Sequence, residues 1–436
     1  MTSFEIGLMG IGLLLALLAL RVPVAFGLLI AAMFGLYEMR GLRAVFGTLQ
    51  SVPFEFATHW TLSAVPMFLL MGNIAGNSGM TSSLYNAMRL WLGWMPGGLA
   101  VATNFAGAGF AAACGSSLAT TATMGRLAVP EMLRVGYNPA LATGATAAVG
   151  TLGALIPPSI IMVLYAVFAE VSVGKMLLAG VLPGLLTALA YAVLIIVRCS
   201  VNPSLAPKID LSHVTSRDRW RAIAEVWPIP VLALGVIGGI YSGLATPTEA
   251  GALGAIFAAV IAVATRRINL RGLWTSIEET LRSTAMLLFI AVCAIIFARF
   301  MAISGVPRNL AALVQEFAVG PLSVVLIICA IVFVLGCFLD TLGIMLLTLP
   351  IFLPILDVYH IDEIWIGIII VKMLEIGLLT PPLGMNVFIL KGVVGDSVPL
   401  GTIFRGVGWM LVAELFVMAL LIGFPQITLL LPSMMQ

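Results

Sequence analysis

The feature that most constrains this chain is a series of long apolar runs, among them LMGIGLLLALLAL, LLAGVLPGLLTALAYAVLIIV and MLLFIAVCAIIFA. Lipid offers backbone N–H and C=O groups no partner, so a segment that crosses it must satisfy them internally. Runs of about 20 apolar residues do so as α-helices, whereas a membrane barrel reads as segments of about 10 residues of alternating polarity. Composition agrees. Of 436 residues, 61% are hydrophobic and 9% charged, against ~25% charged in an ordinary soluble chain. Too few charges remain to clothe a soluble enzyme of this size, and a net charge of +2 offers no basic patch for nucleic acid. The expected fold class is therefore an all-α polytopic membrane protein.

The run from Phe4 to Leu20, followed by Arg21, shows no small-residue cleavage pattern and is expected to be a first membrane helix. The most polar stretch, Arg198 to Glu225, holds Lys208, Asp210, His213, Arg217, Asp218, Arg219 and Arg221. The positive-inside rule makes it a cytoplasmic loop, here bounded as 198–226. A second basic cluster, Arg266, Arg267 and Arg271, belongs on the same side only if the runs at 227–244 and 247–265 form a pair of spans or a re-entrant pair. The five cysteines (Cys114, Cys199, Cys293, Cys329 and Cys337) show no metal-ligand spacing and are expected to pack as small apolar groups.

An internal repeat at a constant offset of 224 residues divides the chain into 1–197 and 227–436. TLGALIPPSIIMVLYAV (151–167) lies over EIGLLTPPLGMNVFILK (375–391), aligning Gly153 with Gly377, Leu155 with Leu379, and Pro157-Pro158 with Pro381-Pro382. At the same offset Pro130 falls on Pro354, and Ser116-Ser117 on Asp340-Thr341. Each half is thus expected to hold a re-entrant helical hairpin (about 97–132 and 321–356) followed by a proline-broken helix (139–168 and 362–392). The repeats are inverted if each half crosses the membrane an odd number of times. Interrupted apolar segments at matching places in two halves point to the binding site of a secondary transporter.

The residues at these interruptions suit ions. GSSLATT (115–121) and LDTLG (339–343) place hydroxyls and a carboxylate where hairpin tips expose half-helix ends and free carbonyls. Oxygens of that kind replace the water shell of a hard cation, and helix N-termini favour an anion. The serines and threonines equally suit close helix packing. Asp340, a carboxylate inside an apolar segment, is functional by default. Thr151, Thr380 and Asn386 add side-chain oxygens beside the double prolines, and Arg299 offers a guanidinium to a carboxylate or else reaches the interface. Thr246-Pro247-Thr248-Glu249 reads as a capping box. No histidine lies in an apolar core and Asp340 has no embedded aspartate partner, so intramembrane proteolysis is not expected, nor any other enzyme activity.

Five ordered motifs, ACGSSLATTATMGRLAVPEM (113–132), GTLGALIPPSIIMVLYAV (150–167), GGIYSGLATPTEAGA (238–252), GCFLDTLGIMLLTLPIFLPI (336–355) and EIGLLTPPLGMNVF (375–388), closely resemble the large membrane subunit of TRAP transporters, the DctM/SiaM type. The resemblance spans nearly the whole chain. It implies a tripartite ATP-independent system in the bacterial inner membrane, in which a DctP/SiaP-type periplasmic binding protein delivers an organic acid and a small DctQ-type subunit supports this large one. It further implies Na+ as coupling ion and an elevator-type motion. On this resemblance one sodium site maps to Gly115, Ser116, Gly150, Thr151 and Gly153, a second to Asp340, Thr341, Gly377 and Thr380, and substrate contacts to Ser116, Ser117, Thr120, Arg299, Thr380 and Asn386. Where many members carry an aspartate after the first tip serines this chain has LATTATMG, leaving the first site to hydroxyls and carbonyls. A divalent-anion/sodium symporter of related architecture, working without a binding protein, is the alternative; a channel is the reading from another class.

Overall fold

The computed structural model describes residues 2–20, 22–208, 213–316 and 320–435; Arg21 and Asp210 lie outside the described residues. The described chain is helical throughout, with no strand. Six helices are long and apolar enough to cross a membrane: Val24–Ala57, Val173–Val201, Pro247–Ala264, Leu270–Ser304, Thr341–Val358 and Leu400–Gly423. Two bent pairs add further candidates, Pro139–Leu155 with Ile160–Phe168 and Ser216–Val226 with Pro228–Tyr241.

Local sequence explains where these helices begin. The first N–H groups of a helix lack intrahelical partners, and a Ser, Thr, Asp or Asn side chain supplies one. Thr2, Asn138, Ser159, Ser172, Thr215, Asn269 and Asp362 each do so. Thr246 and Glu249 form the expected capping box at the head of Pro247–Ala264. The helix Val24–Ala57 runs across a joint at Gly41 whose φ of +73° suits glycine and few other residues. The helices Met80–Leu92 and Val306–Glu316, on amphipathic stretches with little apolar continuity, have no counterpart among the apolar runs.

The long helix Val173–Val201 serves as a ruler for topology. At its far end Gly97 packs on Ile195 and Cys199, and the Asn138 N–H donates to the Leu205 carbonyl at 2.8 Å. Both ends of the first hairpin (Gly98–Cys114 and Ser117–Arg134) therefore lie there. At the near end Gly367 packs on Tyr165 and Met176, and the Tyr165 hydroxyl donates to the Glu363 carbonyl at 2.6 Å. The second hairpin (Pro321–Gly336 and Thr341–Val358) closes a few residues before Glu363, so it enters from the opposite end. The broken helices follow suit, Pro139–Leu155 and Ile160–Phe168 running one way and Glu363–Leu379 and Met385–Val394 the other. Arg267 donates to the Glu225 carbonyl and to Ser83, so the two basic clusters share one end and Pro228–Tyr241 and Pro247–Ala264 run out and back.

Glycine sets the closest approaches. Gly144 and Gly406 bring Pro139–Val149 and Leu400–Gly423 into backbone contact, and a Cβ on Gly406 would overlap the Ala140 carbonyl oxygen. Gly336 and Gly377 do the same between the second hairpin and its broken helix, where added Cβ atoms would lie 3.1 and 2.7 Å from the opposing Cα. All five cysteines are free and buried. A side chain forced into such a contact typically costs about 1–3 kcal/mol. Gly406→Ala is expected to lower the melting temperature in detergent, whereas Gly408→Ala, two residues along the same helix with open space around it, leaves it unchanged or slightly raised; equal melting of both would contradict the packing described.

Candidate functional site

The two hairpin tips line one cavity. In the first, Gly115 turns the chain with φ +64°, and Ser116 caps Ser117–Arg134 by accepting from the Ala119 N–H. In the second, Asp340 caps Thr341–Val358 by accepting from the Gly343 N–H at 3.0 Å. Ser116 and Asp340 are related by the offset of 224, as are Ala119 and Gly343, so the two tips are built by the same cap with different chemistry. Each tip also covers a broken helix. The Gly115 carbonyl accepts from the Ile160 N–H at 3.4 Å, just past Pro157-Pro158, and the Cys337 carbonyl accepts from the Leu383 N–H at 3.3 Å, just past Pro381-Pro382. Proline's missing donor and the break itself leave groups that lipid cannot satisfy, and the tips supply some of the partners.

Between the tips lies a cavity of about 260 Å³. Gly115, Ser116 and Ser117 line it from the first hairpin, Asp340 and Thr341 from the second, and Glu375 from the helix that precedes the second break. Leu69, Ser283 and Met286, from Ala64–Asn77 and Leu270–Ser304, line it as well, as do Ile160 and Met385 from the far sides of the two breaks. The sequence-predicted residues fall into two groups around it. Gly150 and Gly153 pack on the first tip: a Cβ on Gly153 would lie 2.7 Å from the Ser116 carbonyl oxygen, and one on Gly150 would overlap the Thr121 hydroxyl. Gly377 instead packs on Gly336, one turn below the second tip.

The remaining predicted residues are placed differently. The Thr120 hydroxyl donates to the Ser116 carbonyl at 2.8 Å and the Thr380 hydroxyl to the Ile376 carbonyl at 2.7 Å, each within its own helix. Thr151 turns away from the tip and donates to Glu414. Asn386 is fully buried, with neither side-chain polar atom partnered. Arg299 stands apart from the cavity, where its guanidinium donates to Ser51 at 3.2 Å.

Two features went unread in the sequence. The first is Thr121, whose buried hydroxyl is unpartnered over Gly150. Gly125 packs on Leu390 where Ser117–Arg134 lies along Met385–Val394, and one turn back on each helix are Thr121 and Asn386, both with unpartnered polar atoms. The second is an ionic knot. Lys372 pairs with Glu414 and donates to Thr187 at 3.0 Å, while Tyr191 and Thr151 also donate to Glu414. Lys372 and Glu414 are both fully buried. Glu414, a lone carboxylate in WMLVAELFVMALL, carries the same signal that singled out Asp340. Lys372 and Glu375 do not pair with each other: Glu375 accepts from the Ser117 hydroxyl at 2.6 Å.

Chemically, the centre offers oxygens of the kind a small hard cation takes and helix N-termini of the kind that favour an anion. Hydroxyl and carboxylate oxygens without full partners gather at the breaks, and two half-helix N-termini point at one cavity. Among the described residues no cluster of three or more His, Cys, Asp or Glu forms a site for a more demanding metal.

Comparison with known proteins bears on this arrangement. The family described as the tripartite ATP-independent periplasmic transporter, DctM component, matches residues 11–427. The C4-dicarboxylate TRAP transporter large permease protein DctM of Pseudomonas aeruginosa is 38% identical over 385 residues, covering 87% of this chain and 88% of its own. The sialic acid TRAP transporter large permease protein SiaM of Vibrio cholerae is 32% identical, covering 96% and 97%. Among solved structures, the Alcanivorax borkumensis YdaH transporter superposes with a TM-score of 0.64 at 19% identity, covering 89% of each chain, a likeness of fold.

Removing one partner of a buried ion pair typically costs about 3–5 kcal/mol, because the other charge is left uncompensated. Lys372→Met is therefore expected to lower the melting temperature in detergent sharply, and Lys372→Met combined with Glu414→Gln to recover much of the loss. A double variant no more stable than Lys372→Met would show that the pair is not what holds these helices.

Proposed function

Because the chain belongs to the DctM family of tripartite ATP-independent periplasmic transporters, we propose that it is the large permease subunit of a bacterial inner-membrane system that imports an organic acid on a sodium gradient. The observation that carries this reading is the single cavity reached by both hairpin tips, with the Asp340 carboxylate on one side and Ser116 and Ser117 on the other. The C4-dicarboxylate and sialic acid specificities printed for the relatives favour a carboxylate substrate.

On this reading the two halves are inverted repeats, which the opposite entry of the two hairpins supports. Sodium binds as cargo at the breaks. The first site draws on Gly115, Ser116, Gly150 and Gly153 with the hydroxyl of Thr121, whose lack of a partner fits an ion ligand. The second draws on Asp340 and Thr341 at the other tip, beside the break that holds Gly377 and Thr380. Cations there offset the Asp340 charge and let the substrate carboxylate approach the half-helix N-termini. Coupling follows if the hairpins and broken helices move past Ala64–Asn77 and Leu270–Ser304 only when empty or fully loaded, as an elevator requires.

A small DctQ-type subunit and a DctP/SiaP-type binding protein complete the system. The isethionate TRAP transporter permease protein DctMQ of Oleidesulfovibrio alaskensis supports the first: this chain spans 59% of its length. The basic stretch around Arg217 to Arg221 and the Arg266–Arg267 cluster, which share one end, face the cytoplasm.

Asp340 is both a helix cap and the proposed cation ligand, and two substitutions separate these roles. Asp340→Ser keeps a capping oxygen and removes the charge; Asp340→Ala removes both. In proteoliposomes with both partners, each variant is expected to fold yet lose sodium-driven uptake. Full uptake by Asp340→Ser would sink the role of the carboxylate. Wild-type uptake that persists without the binding protein would favour a self-sufficient symporter, and flux indifferent to the sodium gradient a channel.

A further inference from the structure

A second cavity, of about 370 Å³, adjoins the one between the hairpin tips. Three elements wall both. On Ala64–Asn77, Leu69 lines the first cavity and Gly72 and Asn73 the second. On the first hairpin, Gly115 and Ser116 line the first, Cys114 and Ala119 the second. On Leu270–Ser304, Ser283 lines the first and Glu279, one turn earlier, the second. Between the two stands the contact of Gly72 with Cys114, where an added Cβ would lie 2.8 Å from the Cys114 Cα. The second cavity reaches Ser82, beside the Ser83 that accepts from Arg267 at 3.0 Å. It therefore lies toward the end that bears the basic clusters, cytoplasmic on the reading above.

The polar groups on the Leu270–Ser304 side are already engaged. Thr280 accepts from the Asn73 amide at 2.9 Å, and Ser276 and Glu279 each accept from the Asn77 amide at 3.0 Å. The facing wall is different. Arg126, nine residues past Ser117 on the second arm of the first hairpin, lines the cavity and is exposed. Among the described residues it has no hydrogen bond or ion pair. About 14 Å of helix separates it from the tip. Thr81, which also lines the cavity, is buried with its hydroxyl unpartnered. A guanidinium has donors and no acceptor, and its planar fork matches a carboxylate.

We propose that Arg126, with the Thr81 hydroxyl, is a second anion-binding site, which holds a carboxylate of the substrate on the cytoplasmic side of the Gly72–Cys114 contact. This rests on the organic-acid transport reading above and adds to it a station on the way out. The cavity has the size of a small-molecule site. The two charged side chains that line it, Arg126 and Glu279, stand on different elements. An anion is thus drawn to the hairpin wall and turned away from Leu270–Ser304.

A reporter thiol reads the charge of the site directly. Thr123, three residues from Arg126 and lining the same cavity, becomes the reporter as Thr123→Cys, with the cavity's own thiol removed by Cys114→Ala. The other four cysteines are buried. The membrane complex in inside-out vesicles is labelled with a sulfonate-bearing and a trimethylammonium-bearing methanethiosulfonate. The preference for the sulfonate reagent is expected to be about tenfold greater with Arg126 than with Arg126→Gln, to survive in Arg126→Lys, and to shrink with added salt. Succinate or sialic acid is expected to slow labelling, with a half-protecting concentration about tenfold higher in Arg126→Gln. Because Arg126 is exposed, Arg126→Gln is expected to melt with its parent. Equal reagent preference with and without Arg126 would overturn the proposal. So would the absence of protection, or protection unchanged by Arg126→Gln, in a complex that takes up either probe in proteoliposomes. Absence of uptake of both probes by the wild-type complex would count against the transport reading instead, and the reagent preference would then decide for or against an anion site at Arg126.

Discussion

A helix broken inside a bilayer exposes donors and acceptors that lipid cannot satisfy, and the architecture of this protein follows from how its breaks are covered. Each double proline is met by the tip of a hairpin from its own half, Gly115 over the first and Cys337 over the second. A tip that covers a break must come close to it, and glycine makes the approach possible: Gly153 against Ser116, Gly336 against Gly377. The cavity is what remains between two such covers. Its polar lining is therefore a product of the same residues that make the breaks tolerable.

The two halves use this plan unequally. Ser116 and Asp340 cap equivalent helices, yet one is a hydroxyl and the other a carboxylate. Thr151 and Glu375 occupy equivalent positions, and each reaches away from its own half's tip, Thr151 to Glu414 and Glu375 to Ser117. The first half thus supplies hydroxyls and carbonyls and the second supplies charge. Such asymmetry makes the two faces of the cavity chemically distinct.

The hairpins and breaks were legible in the chain because their signals are local: a polar kernel in an apolar run, a pair of prolines, and the recurrence of both at one offset. The capping box at Thr246 was legible for the same reason. The ionic knot was not, since Lys372 and Glu414 lie 42 positions apart and Lys372 sits three residues from Glu375, the more obvious partner. Which carboxylate a buried lysine takes is settled by the packing of Glu363–Leu379 on Leu400–Gly423, not by spacing along one helix. Thr121 was hidden differently, as one of several hydroxyls in a small-residue stretch whose packing and binding roles look identical until a missing partner tells them apart. Apolar continuity likewise missed Met80–Leu92 and Val306–Glu316, whose polar faces dilute the runs.

The knot has a mechanical consequence. Lys372, Glu414, Tyr191, Thr187 and Thr151 come from four helices of both halves, and Ser117 with Glu375 ties in the first hairpin. Parting Glu363–Leu379 from Leu400–Gly423 would leave two charges uncompensated, and the hydrogen bonds of Thr187, Tyr191 and Thr151 bind their helices into the same casting. Ala64–Asn77 meets this casting differently, with Gly72 pressed flat on the Cys114 backbone. A glycine laid on backbone carries none of the charges that weld the core.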